Sequence, residues 1–227
     1  MIEDDRLRMG VKRHTMLTMV AALAMLVCSC EHDEDYRYPS LLTDYVCLAT
    51  DASGRAERLT QDDGNSFPVR FSDTYEKVPS FKADTLYRVV GVYELDPAEQ
   101  EAIAVIYSLG NVVSSVPLPL PKGAEMYQDP VYLQSIWLSG GYLNMVLEVK
   151  ALNGKHSIGF VDTTPGGMQG KEFSFYHEVV DDVEAYRQKL YGSIPLGPFE
   201  ESLQPGDTLR FVVNQYEEGI STYEYVM

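Results

Sequence analysis

The stretch Ile136-Trp137-Leu138-Ser139-Gly140-Gly141-Tyr142-Leu143-Asn144 sets apolar and aromatic residues on both sides of a Ser-Gly-Gly break. The runs it joins, Val131 to Leu138 and Tyr142 to Val149, are rich in the residue types that strands favour, so they predict a hairpin with glycines at positive φ. Strand side chains alternate, which puts Trp137 on the face opposite Ile136 and Leu138. Of these two sets, one belongs to a core and the other faces outward or meets a partner. An outward Trp137, with Tyr142 nearby, could contact a ligand; an inward one is sandwich core.

The sequence downstream of this hairpin continues in the same manner. Asn153-Gly154 turns into a strand over Ser157 to Val161, Lys171 to Val179 is another, and Leu209 to Tyr216 with Ser221 to Val226 closes the chain around Glu217-Glu218-Gly219. Short strands at this spacing fit a β-sandwich. One short helix is predicted over Val183 to Tyr191, where Asp181 or Asp182 can cap, Val183, Tyr186 and Leu190 share a face, and Gly192 can terminate.

Upstream, Val46 to Thr50, Phe67 to Phe71, Leu86 to Leu95 and Ala102 to Ser115 are β-rich and punctuated by Asp51-Ala52-Ser53-Gly54, Asp62-Asp63-Gly64-Asn65 and Asp96-Pro97-Ala98. Without helical periodicity, this predicts a small barrel, with Gly91 and Gly110 suited to bulges. Between the halves, Pro117-Leu118-Pro119-Leu120-Pro121 interrupts strand pairing and marks a linker.

The N-terminus carries an address. Basic Lys12 and Arg13 precede an apolar run from Met16 to Val27, which ends in Val27-Cys28-Ser29-Cys30. The run is shorter than the about 20 residues that cross a bilayer, and small residues before a thiol read as a lipoprotein cleavage box. Cys30 is the expected lipidation site and first mature residue, so the membrane is met through an N-terminal lipid. The following Glu31-His32-Asp33-Glu34-Asp35 resembles the surface-export signal of Bacteroides lipoproteins, which implies an outer-membrane protein exposed at the cell surface. Once Cys28 is removed and Cys30 acylated, Cys47 is the remaining thiol and reads as a small buried hydrophobe.

The chain has 34 acidic against 18 basic residues, a balance that repels phosphate backbones and disfavours nucleic-acid binding. No metal-ligand spacing, phosphate loop or nucleophile elbow occurs, so no cofactor, no metal and no catalytic residue is expected. His156 and His177, with Glu178 and Asp181, form a local grouping that combines imidazole and carboxylate. Asp62-Asp63-Gly64-Asn65 lacks the downstream acid of a calcium loop and reads as a hairpin turn.

From Ile136 to Asn144, and in its lipidated cysteine, β-rich halves and terminal hairpin, the chain resembles the NigD-like lipoproteins of the Bacteroides group. The resemblance implies an OB-like barrel followed by a β-sandwich and brings no catalytic residues. The expected organisation is all-β: a signal peptide over 1–29, a tether over 30–42, an OB-like barrel over 43–116, a proline-rich linker over 117–122 and a β-sandwich with one short helix over 123–227. The expected role is that of a surface accessory protein binding an envelope protein or peptide, with a bacteriocin association implied by the family name. A glycan-binding surface lipoprotein is the alternative.

Overall fold

The computed structural model describes residues 39–97 and 101–227. The expected signal peptide, most of the tether and Cys30 lie outside the described residues. Ser40–Met227 is one compact unit.

Five strands build the first half: β1 (Leu42–Thr50), β2 (Ala56–Gln61), β3 (Ser66–Phe71), β4 (Leu86–Asp96) and β5 (Ile103–Val113). They run in the order β3-β2-β1-β4-β5, and a parallel pairing of Val69, Arg70 and Phe71 with Ala104, Val105 and Ile106 closes the barrel. This is the OB-like barrel expected from the sequence. Alternation decides what fills it. Val46 and Leu48 of β1, Leu59 of β2, Val89 and Tyr93 of β4, and Ala104 and Ile106 of β5 form one buried cluster. Their neighbours Tyr45 and Cys47 on β1, paired with Val90 and Arg88 on β4, are thereby sent to the outer face. Cys47 is accordingly not barrel core; it is half-buried on that outer face. The bulge in the β4–β5 ladder falls between Val92 and Tyr93 rather than at Gly91 or Gly110. Gly91 instead lets the Val46 side chain approach, because a Cβ there would lie 3.2 Å from it.

The second half contains β6 (Tyr132–Ser139), β7 (Tyr142–Ala151), β8 (Lys155–Asp162), β9 (Gly170–Val180), β10 (Tyr186–Pro195), β11 (Thr208–Gln215) and β12 (Gly219–Val226). One layer is a four-stranded sheet in the order β12-β11-β9-β8; the other is formed by β10, β7 and β6. Between them lie Leu143, Met145, Leu147, Phe173, Phe175, Ile194, Leu209 and Phe211. Ile136 and Leu138 pack against this core, which fixes the opposite face for Trp137. The β6–β7 turn places Gly140 at φ 60° and Gly141 at φ 78°, the two positive values of a two-residue hairpin turn.

Val183 to Tyr191 forms no helix. Tyr186–Pro195 is a strand with an unbroken antiparallel ladder to β7, from Tyr186 opposite Ala151 to Pro195 opposite Tyr142. The supposed helical stripe would have had nothing to cover, since Val183 and Tyr186 are exposed, whereas β7 offers a complete set of hydrogen-bonding partners. Among the described residues the helical element is a single 3-10 turn, Gly197–Phe199. The proline segment carries no strand, only a bridge from Leu118 to Val161. Sheet pairing nevertheless passes between the halves elsewhere: Tyr191 and Gly192 of β10 pair in parallel with Val112 and Val113 at the end of β5. The result is one eight-stranded sheet that begins as a barrel and ends as a sandwich layer.

Candidate functional site

The outer face of β1 and β4 meets the barrel-facing side of β6, β7 and β10, and the seam is organised by Arg88. Its side chain is 2% exposed. Nη1 donates to Asp62 Oδ1 at 2.6 Å and to Cys47 Sγ at 3.6 Å. Nη2 donates to Asp62 Oδ2 at 2.9 Å and to Asn144 Oδ1 at 2.9 Å, while Nε donates to Ser193 Oγ at 3.2 Å. All five guanidinium N–H groups thus have acceptors. The Ser193 hydroxyl donates to Asn144 Oδ1 at 2.7 Å, so the acceptors from the sandwich support one another. Burial works against the charge, but the Asp62 pair and Cys47 outweigh it and hold the Arg88 pKa above its ordinary value.

Local sequence explains how each partner arrives. Asp62 opens the Asp62-Asp63-Gly64-Asn65 turn between β2 and β3, which is a turn as expected, with Gly64 at φ 91°. Asn144 and Ser193 face each other across the β7–β10 ladder. Gly140 at the hairpin tip sits so close to Asp62 that a Cβ would come within 2.5 Å of Oδ1. The glycine therefore serves both the turn and the docking of the turn on the carboxylate.

Beside Arg88 the same seam opens into a cleft of about 510 Å³. Tyr45, Trp137 and Tyr191 form an aromatic wall, with Tyr45 edge-on to Trp137 at 5.3 Å and to Tyr191 at 5.9 Å between ring centroids. Asp44, Asp62 and Asp63 line the barrel side. Tyr45 is fixed by donating to the Met145 carbonyl at 2.6 Å, and burial, then neighbouring Tyr191, pushes its phenol pKa up. The Trp137 indole N–H and the Tyr191 hydroxyl have no hydrogen-bond partner among the described residues. Trp137 is thus a half-buried wall residue of the cleft. Tyr142 is not among the residues that line the cleft; its ring lies 4.1 Å from the Arg88 guanidinium carbon and its hydroxyl 3.5 Å from Cys47 Sγ. Burial leads the causes that push this phenol up to about 12. Sequence reasoning named Trp137 and Tyr142 but missed Arg88, Asp62, Asn144 and Ser193. Arg88, a charged residue inside the β-rich run Leu86 to Leu95, was the available signal.

The structure brings His156 and His177 together, but with Asp182 rather than Glu178 or Asp181. His156 Nε2 lies 2.8 Å from Asp182 Oδ2, His156 Nδ1 lies 2.8 Å from His177 Nε2, and His177 Nδ1 lies 3.0 Å from the Asp129 carbonyl oxygen. A carbonyl only accepts, so His177 is protonated on Nδ1 and, as a neutral ring, accepts at Nε2. His156 lies between His177 and Asp182, with Nδ1 toward the His177 ring and Nε2 toward the Asp182 carboxylate. Asp182, 3% exposed in its side chain, is held well below the usual carboxylate range by His156 and by backbone amides of the Asn153-Gly154 turn. Every ring nitrogen is engaged, which leaves no lone pair for a metal. The arrangement ties the strand pair β8–β9 to the loop entering β10.

Residues 116–227 match the family model of the NigD-like C-terminal beta sandwich domain. The chain is similar to the crystal structure of a NigD-like immunity protein from Bacteroides caccae, at 28% identity and a TM-score of 0.67, with 84% of this chain and 99% of that chain covered. It shares its fold with a candidate toxin-related protein from Parabacteroides distasonis, at 18% identity and a TM-score of 0.62, covering 83% and 93% of the two chains. A candidate lipoprotein of Bacteroides fragilis shares the fold at 14% identity and a TM-score of 0.55, covering 83% and 97%. No curated protein matches the chain.

Arg88→Ala is expected to lower the free energy of urea unfolding by about 3 kcal/mol, because it leaves Asp62, Asn144 and Ser193 without their shared donor. Arg88→Lys should restore only part of this, since an ammonium cannot present the planar fork. A loss under about 1 kcal/mol in Arg88→Ala would show that the seam does not depend on the guanidinium. A second expectation concerns acid. Burial, and the neighbouring charge of His156, hold His177 below its ordinary value of 6.5. Below that pH the unfolded chain takes up a proton that the folded chain refuses, so stability is present above about 6.5 and falls as pH is lowered through it. Urea midpoints measured between pH 7.5 and 5 should fall in the parent protein, and this fall should be smaller in His177→Gln.

Proposed function

We propose that this chain, whose residues 116–227 match the NigD-like C-terminal domain, is a lipid-anchored binding protein of the cell surface with an accessory, bacteriocin-associated role, acting by capture rather than by turnover. The observation that carries the reading is the cleft. Its walls come from both halves of the molecule, and Tyr45 is fixed by its hydrogen bond to the Met145 carbonyl. Two of its donors, the Trp137 indole N–H and the Tyr191 hydroxyl, have no partner among the described residues. Such a concave site with an apolar wall and a few placed polar groups is what a ligand requires. The bacteriocin association is supported by the Bacteroides caccae relative, which is named an immunity protein and is matched over nearly its whole length. The anchor rests on the sequence, on Cys30 after its apolar run and on the acids that follow it.

The open donors beside the Trp137 ring also favour a second reading, a glycan-binding surface lipoprotein, because sugars are recognised by stacking and by hydrogen bonds to their hydroxyls. A binding screen of residues 31–227 against envelope proteins, peptides and surface glycans is expected to give saturable binding of an envelope protein or peptide. Trp137→Ala should abolish it in a variant that still unfolds cooperatively. Saturable glycan binding with the same sensitivity would establish the second reading, and turnover of a glycosidase or protease substrate in proportion to protein would overturn both. For the anchor, mass spectrometry of the protein from its native membranes should find diacylglycerol on Cys30 as the first residue. A chain beginning at Glu31, or one that keeps the Met16 to Val27 run, would overturn it.

A further inference from the structure

We propose that the cleft takes a cationic side chain, lysine or arginine, presented by a basic polypeptide segment; this rests on the reading of the cleft as a binding site and specifies its occupant. Three carboxylates line the cleft, and they are not equivalent. Asp62 is committed to Arg88 through both oxygens. Asp44 and Asp63 have no salt-bridge partner among the described residues and are met by neutral donors alone. The Tyr93 hydroxyl donates to Asp44 at 3.0 Å, and Asp63 accepts from the Asn65 backbone N–H at 2.9 Å and from its side-chain amide at 2.7 Å. Both act on one group: burial pushes the Tyr93 hydroxyl up to about 12, and the charges of Asp44 and Asp63 add to that push against the hydrogen bond from Gln61. Two negative charges therefore converge on one rim of the cleft with no cation among the described residues to balance them.

The aromatic residues of the cleft suit the same occupant. Trp137 and Tyr191 contribute rings to its lining, and the electron-rich faces of such rings attract ammonium and guanidinium groups. The cation paired with Asp62 cannot serve an anionic ligand, because Arg88 is buried, does not line the cleft and has all its donors used. Phosphate and carboxylate ligands would meet Asp44 and Asp63 unopposed. The Trp137 N–H and Tyr191 hydroxyl are donors, and what they can take up beside a charged head group is the carbonyl of a peptide backbone. That points to a polypeptide segment rather than a free amine. The cleft volume of about 510 Å³ has room for a side chain with its flanking backbone. At longer range, the net charge of −16 draws basic partners toward the surface.

The chain contains a single tryptophan, and it lies in this wall, so its fluorescence reports occupancy directly. The probes are trilysine, triarginine, trilysine acetylated on its side chains, and the neutral sugar maltotriose, each titrated into residues 31–227 at low and at high salt. Trilysine and triarginine are expected to shift the Trp137 emission saturably, with affinity falling as salt rises. The double substitution Asp44→Asn with Asp63→Asn is expected to weaken binding about tenfold without changing the melting curve, since both side chains lie in exposed positions. Equal, salt-insensitive shifts from the acetylated peptide or from maltotriose would overturn the cationic occupant and leave the cleft standing as a binding site. The cationic occupant is likewise overturned if the double variant binds the charged peptides as the parent does, or if no probe shifts the emission. If, in addition, Trp137→Ala leaves capture of an envelope partner intact, the cleft reading itself is overturned.

Discussion

A guanidinium sealed between two β layers has to find an acceptor for every N–H, because water is no longer there to supply one. Arg88 imposes this on five separate elements: Cys47 on β1, its own position on β4, Asp62 at the end of β2, Asn144 on β7 and Ser193 on β10. Each register depends on it. A slip of one residue in β4 would turn Arg88 into the barrel core and bring Val89 out, and a slip in β10 would exchange Ser193 for Ile194 at the seam. Gly140 meets the same demand from the other side, since only a residue without a side chain lets the hairpin tip rest on Asp62. A buried ion pair is a modest source of stability. Its effect here is to permit one relative placement of barrel and sandwich.

The aromatic wall of the cleft depends on that placement. Tyr45 belongs to the barrel, Trp137 and Tyr191 to the sandwich, and their edge-on contacts exist only where the two meet. Asp44 and Asp63 come from the barrel side as well, so the cleft sets these acids and Tyr45 of the barrel beside Trp137 and Tyr191 of the sandwich. Neither half alone carries the site.

Much of this architecture was legible in the sequence, and the parts that were not have a common cause. The Ser-Gly-Gly turn, the strand runs around it and the proline segment declare themselves locally, through φ requirements and missing N–H groups. Alternation along Ile136-Trp137-Leu138 gave two faces but not their assignment, which needed the core that Ile136 and Leu138 join. Val183 to Tyr191 shows local pattern losing to a partner: the spacing of Val183, Tyr186 and Leu190 suits a helix, yet the ladder to β7 takes Tyr186–Pro195 as a strand. The seam was invisible for a stronger reason. Arg88 and Ser193 are 105 residues apart, and no window of sequence contains both. The histidines fall between these cases, since His156 and His177 were singled out together while the carboxylate they use, Asp182, was taken for a helix cap.

The parallel pairing of β5 with β10 also bears on the order in which the chain can fold. The barrel closes on itself through β3 and β5, with contacts among its first five strands only. The edge that β5 offers at Val112 and Val113 waits for Tyr191 and Gly192, which arrive about eighty residues later. During that interval Arg88 can hold Asp62 but not Asn144 or Ser193, and the outer face of β1 and β4 is open to solvent. Closing so long a loop raises the contact order of the fold, which slows folding more than it lowers stability. The barrel and sandwich residues of the cleft are accordingly joined only by contacts of long sequence separation.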